Sequence, residues 1–354
     1  MKALTRSVPV AGEGDRPEFS EDGSVINAKL VETARTLLAA PKGILAIDES
    51  VATITARFDA LGIRSTPDTR RDYRELLITT PDLARCISGA ILYDETIRQS
   101  SADGTAFPQL LSRCGLLTGI KVDTGAKPLA GWPDEKVTEG LDGLRERLAQ
   151  YRDMGATFAK WRAVISIGAG RPSQACLGSN AHALARYAVL CQEAGLVPIV
   201  EPEVLMDGDH TIEQCGQVTS AIQRIVFAEL ATQGALLEGM ILKPNMVVAG
   251  SACTHQAAVD EVAHATLACL RRSVPAAVTG VAFLSGGQGA DLATEHLGAI
   301  AATGPHPWQL TFSYGRALQD DALAAWRGNP ANVRSAQTAL WQRACANSMA
   351  RAES

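Results

Sequence analysis

No stretch of the chain approaches the ~20 consecutive apolar residues that a membrane helix needs, so no spanning helix is expected. There is no Cys-x-x-Cys pair and no His-Glu-x-x-His; eight cysteines and six histidines are scattered along the chain. A metal site built from ligands close in sequence is therefore not expected, and the cysteines read as reduced core thiols. No Asn-x-Ser/Thr glycosylation acceptor occurs. A Gly-x-x-x-x-Gly-Lys-Ser/Thr loop is missing, as is a Gly-x-Gly-x-x-Gly after the first apolar run, which disfavours Walker-type nucleotide and dinucleotide sites. Charge of either sign is in no great excess: 33 Lys and Arg against 38 Asp and Glu give −5, which argues against nucleic acid or an anionic membrane as main partner. Residues 1–23 lack an apolar h-region and carry Glu13, Asp15, Glu18, Glu21 and Asp22, so they read as a flexible extension rather than a signal or transit peptide.

What is present is an alternation. Short β-branched runs occur at Ile44–Ile47, Ile87–Tyr93, Leu116–Val122, Phe158–Ile165, Val197–Val204, Met240–Lys243, Val278–Leu284 and Gln309–Tyr314. Between them lie amphipathic stretches. Leu141, Leu144, Leu148 and Tyr151 recur at helical spacing, with Arg145, Glu146 and Arg147 off that face and Gly155 placed to cap the end. Ala181, Leu184, Ala188 and Cys191 repeat the pattern up to Gly195, and residues 211–233 and 256–272 are helix-like too. Length alone suggests roughly two domains. Eight strands alternating with helices predict instead one α/β domain, a (β/α)8 TIM barrel over residues 24–354 with a C-terminal helical segment and no long C-terminal tail. An open doubly wound sheet is the alternative.

Polar residues at the strand ends decide between them. Asp48 and Glu49 end the first run, and Lys121 and Asp123 the third. Lys160 and Arg162 sit in the fourth, Glu201 and Glu203 end the fifth, and Lys243 ends the sixth. Ser285 ends the seventh, and Ser313 and Arg316 the eighth. Residues two apart on a strand share a face. Seven of eight strands therefore place charged or hydroxyl groups where a barrel keeps its catalytic mouth. Unpaired buried charges are costly, so lysines and carboxylates there must compensate one another.

Two lysines in one mouth are expected to suppress each other's protonation and leave an amine nucleophile. An amine attacking a carbonyl forms a Schiff base, the electron sink that carbon–carbon cleavage beside a carbonyl requires, with nearby carboxylates moving the protons. Ser285-Gly286-Gly287 and Ser313-Tyr314-Gly315-Arg316 fall after the seventh and eighth strands, a recurring phosphate position in barrels. Lys121, Arg162 and Arg57 suggest a second anion.

These segments resemble class I fructose-bisphosphate aldolases. The resemblance rests on KGILAIDES (Lys42–Ser50), GIKVD (Gly119–Asp123), FAKWR (Phe158–Arg162), VPIVEPE (Val197–Glu203), LKPNM (Leu242–Met246), VTGVAFLSGGQ (Val278–Gln288) and TFSYGRAL (Thr311–Leu318), and extends from about residue 24 to about residue 350. It implies Lys243 as the Schiff-base lysine, Lys160 as the lysine that lowers its pKa, Glu201 as main acid/base and Glu203 as the carboxylate holding the lysines. Asp48 is implied as the acid at the hydroxyl beside the scissile bond. Ser285, Gly286, Gly287, Ser313, Gly315 and Arg316 are implied for the 1-phosphate, and Lys121, Arg162, Thr53 and Arg57 for the 6-phosphate. It further implies a cytoplasmic homotetramer of glycolysis and gluconeogenesis that needs no cofactor or metal.

Departures are visible. Ala52 and Thr53 stand where many relatives carry glycine then serine, Ala56 stands in place of a lysine, and no tyrosine follows Tyr314 where animal relatives end a mobile tail in one. Ala56 keeps a second reading open, a Schiff-base aldolase or transferase preferring a mono-phosphorylated sugar. Loss of the tail tyrosine implies that another group protonates the enamine.

Overall fold

The computed structural model describes residues 21–352. The expected flexible extension lies outside the described residues as far as residue 20, and a helix already begins at Glu21.

Eight parallel strands close on themselves: β1 Gly43–Ile47, β2 Ile87–Leu92, β3 Leu117–Lys121, β4 Phe158–Ile165, β5 Val197–Val204, β6 Ile241–Leu242, β7 Gly280–Phe283 and β8 Gln309–Tyr314. Each pairs with its sequence neighbours in the barrel, and β8 returns to β1 through Ile44 opposite Ser313. This is the expected TIM barrel. An antiparallel pair, Ala126–Pro128 with Lys136–Thr138, fills the loop after β3 and is not legible in the apolar pattern.

Strand alternation sorts the side chains into two cores. Leu45, Ile47, Ala90, Leu92, Trp161, Val200, Phe283 and Phe312 face outward and are buried beneath the helices. Ile44, Ala46, Ile91, Phe158, Val197, Ile199, Ile241 and Ala282 fill the barrel interior. That second cluster also contains Leu30, Ala34, Leu37 and Leu38, which fall on one face of the first helix, Glu21–Leu37, and the residue after it. The helix thus closes one end of the barrel. Phe158 is accommodated because β3 carries Gly119, where a Cβ would lie 2.2 Å from its ring. The other end is open, and the sequence of each strand turns polar there.

Candidate active site

Continuing the inward-facing alternation two residues at a time gives the site. Ile44 and Ala46 lead to Asp48, Phe158 leads to Lys160 and Arg162, Ile199 leads to Glu201 and Glu203, and Ile241 leads to Lys243. Register sets their neighbours: Lys121 is level with Lys160, and Arg162 with Glu201. These side chains line a cavity of about 880 Å³ at the open end.

At its centre lies a chain of opposite charges. Asp48 Oδ2 is 2.6 Å from Lys160 Nζ. Glu201 reaches both lysines, Oε2 at 3.4 Å from Lys160 Nζ and Oε1 at 3.4 Å from Lys243 Nζ. All three side chains of that bridge are almost wholly buried. Burial would raise the Asp48 carboxyl, but Lys160, Lys243 and Lys121 together bring it down to about 2. Burial likewise works against the Glu201 carboxylate, and Lys160, Lys243 and Arg162 outweigh it, so its pKa falls below the usual range. Glu201 is thus a base at rest. Its Oε2 receives no hydrogen bond even though Lys160 is close, which leaves a lone pair turned toward the cavity.

Burial lowers the Lys160 pKa, and Asp48, Glu201 and Asp123 reverse that effect and hold the ammonium charged. Mutual suppression between the lysines therefore does not prevail at Lys160, because carboxylates surround it. Lys243 touches only the carboxylate it shares, at the edge of β6 where its backbone N–H donates to the Val200 carbonyl.

Glu203 differs from the role the resemblance gave it. Its Oε2 accepts from Arg162 Nε, and Glu201 is the carboxylate that contacts the lysines. The two glutamates sit at successive levels of one strand, and only the lower reaches Lys160 and Lys243. Lys121 Nζ donates to Asp123, whose other oxygen accepts from the Arg162 backbone N–H at 3.2 Å.

An anion cradle stands at one side. Gly286 (φ 62°) and Gly287 (φ 102°) take backbone conformations that favour glycine, turning the loop after Ser285. A Cβ on Gly287 would lie 3.6 Å from Arg316 Nη2, so the loops after β7 and β8 meet. The buried Ser313 hydroxyl has no partner, and Gly315 opens the helix Arg316–Trp326, whose free N–H groups favour an anion. Ser285, Gly286, Ser313, Gly315 and Arg316 line the cavity; Gly287 stands behind them.

The helix Val51–Asp59 is started by Ser50, which accepts from the Thr53 N–H at 3.3 Å and places Thr53 and Arg57 on the cavity side. Arg57 is not a free cation: it pairs with Glu49 and, at 2.8 Å, with Asp320. Ala56 is exposed and does not line the cavity.

Tyr93, Asp94, Arg98, Arg147 and Tyr151 also line the cavity and were missed from sequence. Asp94 had a signal, since it follows the second run as the other polar ends follow theirs. Arg147 had none, because its helical position reads as a solvated flank. Among the described residues no group of three or more His, Cys, Asp or Glu is arranged to hold a metal ion, and no helix is long and apolar enough to cross a membrane.

Comparison with known proteins agrees with this geometry. The family model described as fructose-bisphosphate aldolase class-I matches residues 29–354. A Xanthomonas campestris protein named "Probable fructose-bisphosphate aldolase class 1" is 55% identical over 323 residues, 91% of this chain and 97% of that protein. The fructose-bisphosphate aldolase of Echinococcus multilocularis is 50% identical over 324 residues, 91% of this chain and 89% of the relative. A solved fructose-bisphosphate aldolase from Plasmodium falciparum, in complex with TRAP and a small-molecule inhibitor, superposes with a TM-score of 0.92 at 47% identity, covering 95% of this chain and 96% of that one. With a closed eight-stranded parallel barrel carrying its charges at one mouth, this chain belongs to the class I fructose-bisphosphate aldolase family and is a lyase of that class.

Proposed function

We propose that the chain catalyses reversible cleavage of fructose 1,6-bisphosphate to dihydroxyacetone phosphate and glyceraldehyde 3-phosphate through a Schiff base on Lys243. The observation that carries this reading is Glu201 set between Lys160 and Lys243, 3.4 Å from each, in a cavity with cations on several sides. The Lys243 amine adds to the ketone carbon, and the carbinolamine loses water to give the protonated imine. Glu201, a base at rest, takes and returns the protons of these steps. Lys160, held charged, supplies positive charge to the carbinolamine oxygen. The bond two carbons away then breaks as the hydroxyl proton leaves toward Asp48, and its electrons flow into the imine to give an enamine. Protonation on carbon and hydrolysis of the imine release dihydroxyacetone phosphate and restore Lys243.

The test is reduction by borohydride in the presence of dihydroxyacetone phosphate. Inactivation with a single adduct on Lys243, absent in Lys243→Met, is expected, and chelators should leave the activity unchanged. Inactivation by EDTA that zinc reverses, without an adduct, would overturn the reading. As a member of this family, the chain is proposed to act in glycolysis and gluconeogenesis in the cytoplasm, as a homotetramer, with no cofactor.

A second reading, preference for a mono-phosphorylated sugar, is favoured by Ala56: its helix carries Arg57, which already faces two carboxylates. A kcat/KM for fructose 1-phosphate at or above that for the bisphosphate would establish it.

A further inference from the structure

Eight cations line the mouth cavity, and six of them have a carboxylate within ion-pair distance. Lys160 and Lys243 share Glu201, Lys121 has Asp123, and Arg162 has Glu203. Arg57 has Glu49 and Asp320, and Arg98 has Asp94. Two make no ion pair among the described residues, Arg316 and Arg147. Their positions are opposed. Arg316 follows β8 and meets the loop after β7. Arg147 lies on the helix Leu144–Asp153, which leads from β3 into β4, the point of the ring across from the β7–β8 junction.

Arg147 is also positioned for an anion. Its Nη1 donates to the Val122 carbonyl at 2.8 Å and its Nη2 to the Gly140 carbonyl, so the guanidinium is oriented by neutral groups that leave its charge unanswered. Tyr151, one turn on, donates from its hydroxyl to Asp94 Oδ1 at 2.8 Å and carries the Arg98 guanidinium over its ring at 5.7 Å. Arg98 is half exposed at the cavity edge, and its ion pair with Asp94 is of the surface kind that contributes little and is readily exchanged.

We propose that Arg147, with Arg98 beside it, receives the second phosphate of the substrate, supplying the positive charge that the first-strand helix lacks with Ala56 and a neutralised Arg57. This deepens the aldolase reading and rests on it. A ligand with a phosphate at each end would find one uncompensated arginine at each side of the mouth, with the lysines and carboxylates between.

The test compares fructose 1,6-bisphosphate with fructose 1-phosphate in Arg147→Gln and Arg98→Gln. Charge-assisted hydrogen bonds of this kind contribute about 1.5–3 kcal/mol, so the ratio of kcat/KM values, bisphosphate over monophosphate, is expected to fall about 10- to 100-fold in Arg147→Gln. Arg98→Gln, whose side chain is not embedded, is expected to lower it about threefold, chiefly through KM for the bisphosphate. Arg147→Lys, which keeps the charge and loses the fork, should recover part of the ratio. An unchanged ratio, or an equal loss on both substrates, would overturn the proposal, since removing a merely structural arginine affects both alike. Borohydride trapping of dihydroxyacetone phosphate, which has no distal phosphate, is run on the same proteins. Trapping that fails in the wild-type chain would sink the Schiff-base reading beneath the proposal, whereas intact trapping with an unmoved ratio would sink the Arg147 assignment alone.

Discussion

The lower and upper halves of the barrel interior are built from the same strands at the same inward-facing positions, yet they obey opposite rules. Below, Ile44, Phe158, Val197, Ile199 and Ile241 pack against Leu30, Ala34 and Leu37, and no charge enters. Above, two residues further along the same strands, Asp48, Lys160, Glu201 and Lys243 are nearly as buried, and nearly every polar group is a charge. The lower layer is stable because its apolar surface leaves water. The upper layer is tolerable because each charge has an opposite one beside it, an arrangement that contributes little net stability and leaves groups poised for reaction. Stability and chemistry are thus separated by one strand repeat.

The comparison can be broken from either side. The largest effect on chemistry short of losing Lys243 is expected at Glu201. Glu201→Gln removes the proton carrier and keeps the shape, so kcat should fall by about 10²–10⁴-fold while borohydride trapping on Lys243 continues more slowly. Near-normal turnover would mean that another group carries the protons. In the lower layer the order is reversed: Phe158→Ala empties a fully buried ring site and should cost about 3–5 kcal/mol of stability, read by denaturant unfolding. Any folded fraction of that variant should keep its KM, and a KM change greater than its stability loss explains would show that the layers are not independent.

A smaller effect tests the cost of the charged layer. The folded Asp48 carboxyl lies at about 2, below its ordinary 3.8. A depressed carboxylate contributes stability above its unfolded value and loses it as the pH falls toward the folded one. About 2 kcal/mol should therefore be present above about pH 4 and disappear between about pH 4 and pH 2. Asp48→Asn should flatten the wild-type fall in unfolding free energy across that window, and parallel pH curves for the two proteins would count against the ion pair. The smallest effect is expected at the rim. Ala56→Lys, on an exposed position beside the cavity, should lower KM for the bisphosphate about two- to fivefold and leave fructose 1-phosphate unchanged. An equal change on both substrates would place residue 56 outside the distal phosphate's reach.

Much of this architecture is legible in the linear chain, for a definite reason. Strand side chains alternate with a period of two whatever their partners, so apolar runs ending in Lys-Val-Asp, Lys-Trp-Arg or Glu-Pro-Glu reveal both the inner face and the end at which it becomes polar. The eight runs and the glycines after the seventh are local features of that kind. The hairpin Ala126–Pro128 with Lys136–Thr138 is not, because segments this short carry too little pattern to distinguish them from loop.

Which charge meets which was settled elsewhere. Glu201 and Glu203 are equivalent by spacing, and only the stagger of β4 against β5 gives the lysines to one and Arg162 to the other. Arg57 is a phosphate ligand by pattern, and only closure of the barrel brings Asp320 from the far end of the chain to neutralise it. Arg147 is a solvated flank by helical periodicity, and only the packing of its helix over the end of β3 turns it toward the mouth. The sequence by itself determined the barrel, its polar end and the residue types collected there, because backbone periodicity is a local property. The tertiary structure alone decided the pairing of charges, because Coulomb energy depends on separations of a few ångströms between residues that can be hundreds of positions apart.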